Sequence, residues 1–389
     1  VLAATVRVTR DLDEAEEAVQ DAYLQALKRW ADDGVPDRPG AWLTTVARRT
    51  ALNGVRHREV LRRKLPLLVE PDTAEPPEPA GPIPDDRLRL VFTCCHPALA
   101  QEAQVALTLR LVCGVATADI AHAFLVPEPT MAARITRAKK KIAAARIPYA
   151  VPAAEDLPER VSVVLTVLHL LYAAGHTAPS GDDLVRDELT GRALDLARML
   201  RALLPADTEV AGLLALLLVH QARRATRTDD GGRLLRLEEQ DRSRWDTAMV
   251  AEADRLVVEA LEGGPPGRFG VQAAIAALHA QAPSYAETDW PQILTLYDVL
   301  LRLWPSPVVA LNRAVAVAMV DGPAAALAEI ARLEDDGRLA GYRYLPATKA
   351  DLLHRLGRDA EAADAYRAAL ALSENAVEQE FLAARLSGA

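Results

Sequence analysis

The chain has 389 residues, half of them hydrophobic and a quarter charged, with a formal net charge of −9. The length predicts two or three domains, and a Leu- and Ala-rich composition poor in strand-forming residues predicts an all-α protein. Three cysteines exclude a disulfide framework, and no apolar run reaches the ~18 residues of a membrane span. With no basic segment ahead of an apolar stretch, the expected location is cytoplasmic.

Charge is distributed unevenly. Residues 1–150 hold 21 Lys and Arg against 19 Asp and Glu, and the remainder holds 24 against 35. Such asymmetry points to a nucleic-acid-binding part joined to an acidic one.

In "DLDEAEEAVQDAYLQALKRW" the helical period places Leu12, Ala15, Val19, Tyr23, Ala26 and Trp30 on one apolar face. Glu14, Glu17 and Asp21 form a separate acidic stripe, with Gln20 at its edge. After the loop "ADDGVPDRPG", a second helix carries Arg48, Arg49, Arg56, Arg58, Arg62, Arg63 and Lys64 against a single Glu59. Residues 66–84 contain seven prolines and four acids and predict an extended linker, with a reach of roughly 60 Å at about 3.1 Å per residue.

The next block, from about residue 85, ends in "TADIAHAFLVPEPTMAARITRAKKKI", which predicts two helices joined by a tight turn. Thr117 is the expected N-cap of the first, and Pro129 suits the start of the second. Met131, Ile135, Ala138 and Ile142 share a buried face, while Thr130, Arg134, Arg137 and Lys141 form another stripe, with Lys140 on the outer side. This is a helix-turn-helix pattern, in which arginine can read guanine edges and lysine suits phosphates.

Cys94, Cys95 and His96 are consecutive, a poor arrangement for a closed zinc site, and are read as buried helix residues. HExxH, P-loop and GxGxxG motifs are absent, so no catalytic residue, metal or cofactor is assigned and the protein is expected not to be an enzyme.

From about residue 155 apolar helices alternate with turns, and "VSVVLTVLHLLYAAG" reads as a buried helix. Ala362, Tyr366 and Ala369 lie at helical spacings of four and three, with Ala350 on the preceding helix. Gly322 stands about 35 residues before Gly357, and Tyr297 precedes Pro305 by eight. This spacing resembles tetratricopeptide repeats and predicts an α-solenoid. In "DDGGRLLRLEEQDRSRWD", Gly231 and Gly232 suggest a tight hairpin, while Gln240, Asp241, Arg242 and Trp245 suit a helix start or interdomain contact.

The ordered set (acidic helix, basic helix, linker, helix-turn-helix) resembles an extracytoplasmic-function, group 4 bacterial RNA polymerase sigma factor of the sigma-70 family. "DEAEEAVQDAYLQALKRW" is similar to region 2.2, "PGAWLTTVARRTALNGVRHR" to regions 2.3 and 2.4, and residues 85–146 to domain 4. "DGGRLLRLEEQDRSRWD", "TDWPQILTLYDVLLRLWPSPVVALNRAVAVA" and "GYRYLPATKADLLHRLGR" resemble the ECF42 subgroup, which carries a C-terminal tetratricopeptide-like extension.

The resemblance implies region 2 at residues 1–65, expected to be N-terminally truncated, a linker at 66–84, region 4 at 85–148 and the extension at 155–389. It implies that Glu14, Glu17, Gln20 and Asp21 hold the β′ clamp of core RNA polymerase. Arg48, Arg49, Asn53, Arg56, Arg58 and Arg62 would contact the −10 element of promoter DNA. Thr130, Ala133, Arg134 and Arg137 would read the −35 element, with Lys140 and Lys141 on its backbone. Arg49, Asn53 and Ala133 depart from the Asn, Asp and Gln that many relatives carry there. The implied function is promoter-specific transcription initiation, including promoter opening, with the extension meeting a protein partner or the chain itself. The other reading is a helix-turn-helix regulator whose solenoid is a sensor and which acts without polymerase.

Overall fold

The computed structural model describes residues 1–64, 86–123, 126–153, 155–178 and 180–388, without the side chains of 56–64, 122–123 and 388. The predicted 66–84 linker and the side chains of Arg56, Arg58 and Arg62 lie outside the described residues. Helices dominate, as the composition predicts, and the chain divides into two units, Val1–Val167 and Leu168–Ala389.

The first unit begins with three packed helices, α1 (Leu2–Thr9), α2 (Leu12–Asp33) and α3 (Pro39–Lys64). Arg10 closes α1 in the left-handed conformation, and the Asp11 carboxylate accepts the Glu14 N–H at 2.9 Å to cap α2. Ala22 and Ala26 of α2 pack on Leu43 and Ala47 of α3, and these small side chains let the two backbones approach closely. The expected apolar face of α2 is therefore corrected. Ala18 and Ala22 join its buried centre, whereas Tyr23 lies about 100° from that centre and is exposed.

Four further helices follow: α4 (Asp86–Cys94), α5 (Gln101–Leu107), which runs into a π-turn at Thr108–Val112, α6 (Thr117–Ala123) and α7 (Glu128–Ala144). The α6 start moves by one residue from expectation, because the Ala116 carbonyl takes its first hydrogen bond, from the Ile120 N–H at 3.1 Å. Thr117 is thus the first helical residue rather than the cap. Pro129 occupies the first turn of α7, and Met131, Ile135, Ala138 and Ile142 are all buried. Cys94 closes α4 and is buried, as expected, but Cys95 is in the following turn and His96 is only half-buried. The Cys95 Sγ lies 3.6 Å from Thr108 Oγ1, and burial pushes its thiol up to about 12.

The unit boundary falls within α8 (Leu157–His176). By length and composition alone α8 could cross a membrane, but Val164, Leu165, Leu168 and Leu171 are buried within the protein. The second unit continues with α9 (Asp187–Leu203), α10 (Thr208–Ala222), α11 (Thr247–Glu262), α12 (Arg268–Gln281), α13 (Trp290–Leu303) and α14 (Pro307–Val320). It ends with α15 (Pro323–Asp336), α16 (Tyr344–Arg355), α17 (Asp359–Ala371) and α18 (Ala376–Gly388). Successive helices pack on one another. Ala350, Ala362, Tyr366 and Ala369 share one core with Leu353 and Leu382, as their spacing predicts. Gly322 and Gly357, with φ of 91° and 72°, make the turns before α15 and α17.

The predicted solenoid has one feature its periodicity does not show, because its ends meet. A two-residue strand, β1 (Ser180–Gly181), pairs in parallel with β2 (Glu374–Asn375), and Asn375 Nδ2 donates to the Asp183 carbonyl at 2.9 Å. The segment between α10 and α11 forms the expected hairpin, with an antiparallel bridge from Thr228 to Leu234. Asp241 caps a short 3-10 turn at Arg242–Arg244, and Asp246 caps α11.

Candidate nucleic-acid interface

Two faces of α7 do different work. The exposed stripe carries Thr130, Ala133, Arg137, Lys140 and Lys141, with Arg134 half-buried beside it. Burial of the Met131–Ile142 face turns this stripe outward, so one hydrophobic pattern sets both. Arg134, Arg137 and Lys141 rim a cleft of about 280 Å³, with Ala103 and Ala138 in its lining and Glu102 of α5 as its acid. The Arg137 Nε donates to the Ala133 carbonyl at 3.3 Å, which holds its guanidinium along the helix. Three cations around a small-residue cleft can hold phosphodiester oxygens, and arginine can also reach a base edge.

The opposite flank of α7 contacts α2. Lys139 Nζ donates to Asp13 Oδ1 at 2.9 Å and to Glu16 Oε2, and Arg110 approaches Glu16 at 3.8 Å. Burial works to lower the Lys139 value, but the hydrogen bonds and charges of Glu16 and Asp13 prevail and hold it above the ordinary lysine range. Sequence reading missed Lys139, Asp13 and Glu16. The available signal was helical position: Lys139 stands four residues after buried Ile135, and Glu16 beside buried Ala15. Arg7 also pairs with Asp86 at 3.7 Å, and the Tyr149 hydroxyl donates toward the Ala3 carbonyl at 2.8 Å.

The two acids that Lys139 holds, Asp13 and Glu16, lie outside the acidic stripe. Glu17, Gln20 and Asp21 are exposed, Glu14 is half-buried, and the stripe continues into exposed Leu24 and Leu27. An acidic edge beside exposed leucines suits a protein partner with basic and apolar groups. On α3, Arg48, Arg49 and Asn53 are all exposed, and Arg49 and Asn53, four residues apart, share a face. Leu43, Ala47 and Ala51 fill the buried side of that helix. The described site residues therefore form separate surfaces on α2, α3 and α7, not one pocket.

Comparison with known proteins follows the same division. Residues 1–60 match the model of sigma-70 region 2, and residues 89–142 match sigma-70 region 4. Residues 160–261 match a family of unknown function, DUF6596. Over 392 aligned residues the chain is 43% identical to "Uncharacterized protein R00370" of Rhizobium meliloti (strain 1021), an alignment covering 99% of this chain and 92% of that protein.

Proposed function

We infer, for a chain that belongs to the family of R00370 and carries sigma-70 regions 2 and 4, a role as a sigma factor that directs transcription initiation. The observation that carries this reading is the pairing of the two regions in one chain, region 2 with an exposed acidic stripe and region 4 with an exposed basic one. In detail, we read it as an extracytoplasmic-function sigma factor of the ECF42 type, with a tetratricopeptide-like extension after residue 155, acting in the cytoplasm and performing no bond chemistry. The order of helices and the small-residue packing around Ala350, Ala362 and Ala369 support that reading.

Glu17, Gln20 and Asp21, with Glu14 behind them, would dock on the β′ clamp of core polymerase, and the neighbouring Leu24 and Leu27 supply apolar area for the same surface. Arg48, Arg49 and Asn53 would meet the −10 strand. Opening DNA costs a few kcal/mol for each unstacked step, which a sigma factor offsets by binding the freed bases. Thr130, Ala133, Arg134 and Arg137 would read the −35 groove, while Lys140 and Lys141 hold phosphates. Ala133 can offer only apolar contact, such as to a thymine methyl.

The test is titration of the full chain against bacterial core RNA polymerase, beside a Glu17→Arg, Asp21→Arg double variant. Tight binding lost in the variant supports both the sigma reading and the docking face. A folded native chain that ignores polymerase yet binds duplex DNA would instead favour a regulator working without polymerase.

A further inference from the structure

In the C-terminal unit three helices end close together: α8 at His176, α10 at Ala222 and α12 at Gln281. A helix carboxy end presents unbonded carbonyls and partial negative charge, so a nearby arginine has a structural use. Two arginines here have one. Arg227 donates to the His176 carbonyl and, at 3.0 Å, to Thr177 Oγ1. Arg242 Nη1 donates to the carbonyls of His279 at 2.5 Å and Ala282 at 2.7 Å.

Arg223, the residue after α10, has no such acceptor. The residue is half-buried, its guanidinium makes no hydrogen bond or ion pair among the described residues, and its Nε is enclosed without a partner. Its guanidinium lies over the face of Trp245, 5.7 Å from the ring centre, and Arg242 lies over the same ring at 4.8 Å. The adjacent Arg224 pairs with Asp187 at 2.6 Å, so carboxylates are available nearby but are not directed at Arg223. Glu378, whose charge reaches Arg227, is already held by Arg343 at 2.6 Å and the Tyr344 hydroxyl at 2.5 Å.

Around Arg223 stand three histidines, each with one enclosed ring nitrogen lacking a partner: His176 Nε2, His220 Nδ1 and His279 Nδ1. The rings of His176 and His220 are 5.2 Å apart, and Tyr172 lies 5.7 Å from His176. We propose that this cluster is a binding site for a small anion carrying a carboxylate or phosphoryl group, with Arg223 as its principal ligand and His176 and His220 flanking it.

The physical reason is charge. A guanidinium cannot shed its proton in this setting, and a half-buried one without a counter-ion keeps its terminal nitrogens open to an anion. Burial, together with the charges of Arg227 and Arg242, pushes Arg223 down to about 10, and the charge of a bound anion would work in the opposite direction. Carboxylate and phosphate both match the arginine fork. The site is also rigid: Trp245 Nε1 donates to Thr226 Oγ1 at 2.9 Å, fixing the ring beside both arginines. The loop carrying Arg227, Arg242 and Trp245 is tied to α16 by Arg236–Asp351 at 3.5 Å and to α18 by Arg385–Glu239 at 3.9 Å. An anion at Arg223 therefore bears on the junction between the first and last helices of the unit.

The test is isothermal titration of the full chain with inorganic phosphate and, separately, with succinate, at ionic strength held constant by sodium chloride. It requires no polymerase or DNA, so its outcome is independent of the sigma reading. The expected result is saturable one-to-one binding of one probe with Kd of about 1 mM or tighter. That binding should weaken at least about tenfold in Arg223→Gln, with partial recovery in Arg223→Lys. Far-UV circular dichroism checks folding, and His220→Phe is the second variant if Arg223→Gln does not fold. Phosphate binding alone assigns the phosphoryl class, and succinate binding alone the carboxylate class. No saturable binding of either probe by folded native chain, or undiminished binding in the folded variants, overturns the proposal.

Discussion

Replacing Lys139 by Met keeps the aliphatic stem of the side chain and removes the charge that joins α7 to α2. The Lys139 side chain is 12% exposed and that of Glu16 18%, whereas Asp13 is 71% exposed. Exposed pairs contribute about 0.2–1 kcal/mol, while removing one partner of a buried pair costs about 3–5 kcal/mol. The Glu16 bond lies nearer the buried limit and the Asp13 bond nearer the exposed one, and Glu16 keeps Arg110 at 3.8 Å. The expected loss is therefore about 1–3 kcal/mol, which enlarges local opening by roughly 5- to 150-fold. Hydrogen exchange with mass spectrometry on the full chain reads this directly. Peptides from the first half of α2 and from α7 should exchange faster by that factor, while those from α16 and α17 keep native protection. Equal protection of the α2 and α7 peptides in variant and native chain would refute the reasoning, as would acceleration spread evenly over both units.

A methyl group at Gly212 in α10 would lie 2.7 Å from the Gly270 Cα of α12, so Gly212→Ala must push two packed backbones apart. A loss of about 1–3 kcal/mol or more is expected in urea unfolding, and unchanged stability would show that the helices can yield. Ala362→Leu should cost about 1–3 kcal/mol for the same reason, overpacking a side chain with no exposure; the thermal midpoint of the second unit checks it. Burial, reinforced by nearby arginines, depresses His169 to about 4, His176 to about 3 and His279 to about 4. Because these native values lie below the free imidazole value, the unfolded chain takes up protons first. The stabilising contribution is thus present above about pH 6.5 and is lost as pH falls toward 4, by roughly 1–2 kcal/mol per histidine at pH 5. A second-unit melting temperature that is flat from pH 7.5 to 5 would contradict this. Arg134→Ala should weaken −35 binding by about 1–3 kcal/mol at one base position, and a uniform loss over all sequences in a competition assay would reduce Arg134 to a phosphate contact.

Much of this molecule is written in local periodicity. The α7 faces follow from Met131, Ile135, Ala138 and Ile142 recurring every three or four residues, and the exposed cations are what remains. The α16–α17 packing follows likewise from Ala350, Ala362 and Ala369, because only small residues let two helices approach closely. Tyr23 shows the limit of that reasoning. A helical wheel gives the width of an apolar face, but its buried centre depends on where α3 places Leu43 and Ala47.

Contacts between distant segments are of another kind. Lys139 reads as one more surface cation in "AKKKI", and only the packing of α7 beside α2 brings it to Asp13 and Glu16, more than a hundred residues away. The Arg223 cluster draws on the ends of α8, α10 and α12 and on Trp245, none of them related by helical spacing. Helix formation and amphipathicity depend on neighbours within about two turns, so sequence alone determined them. Which charges end up paired, and which one is left without a partner, depends on burial and on segments far along the chain, so only the tertiary structure could decide it.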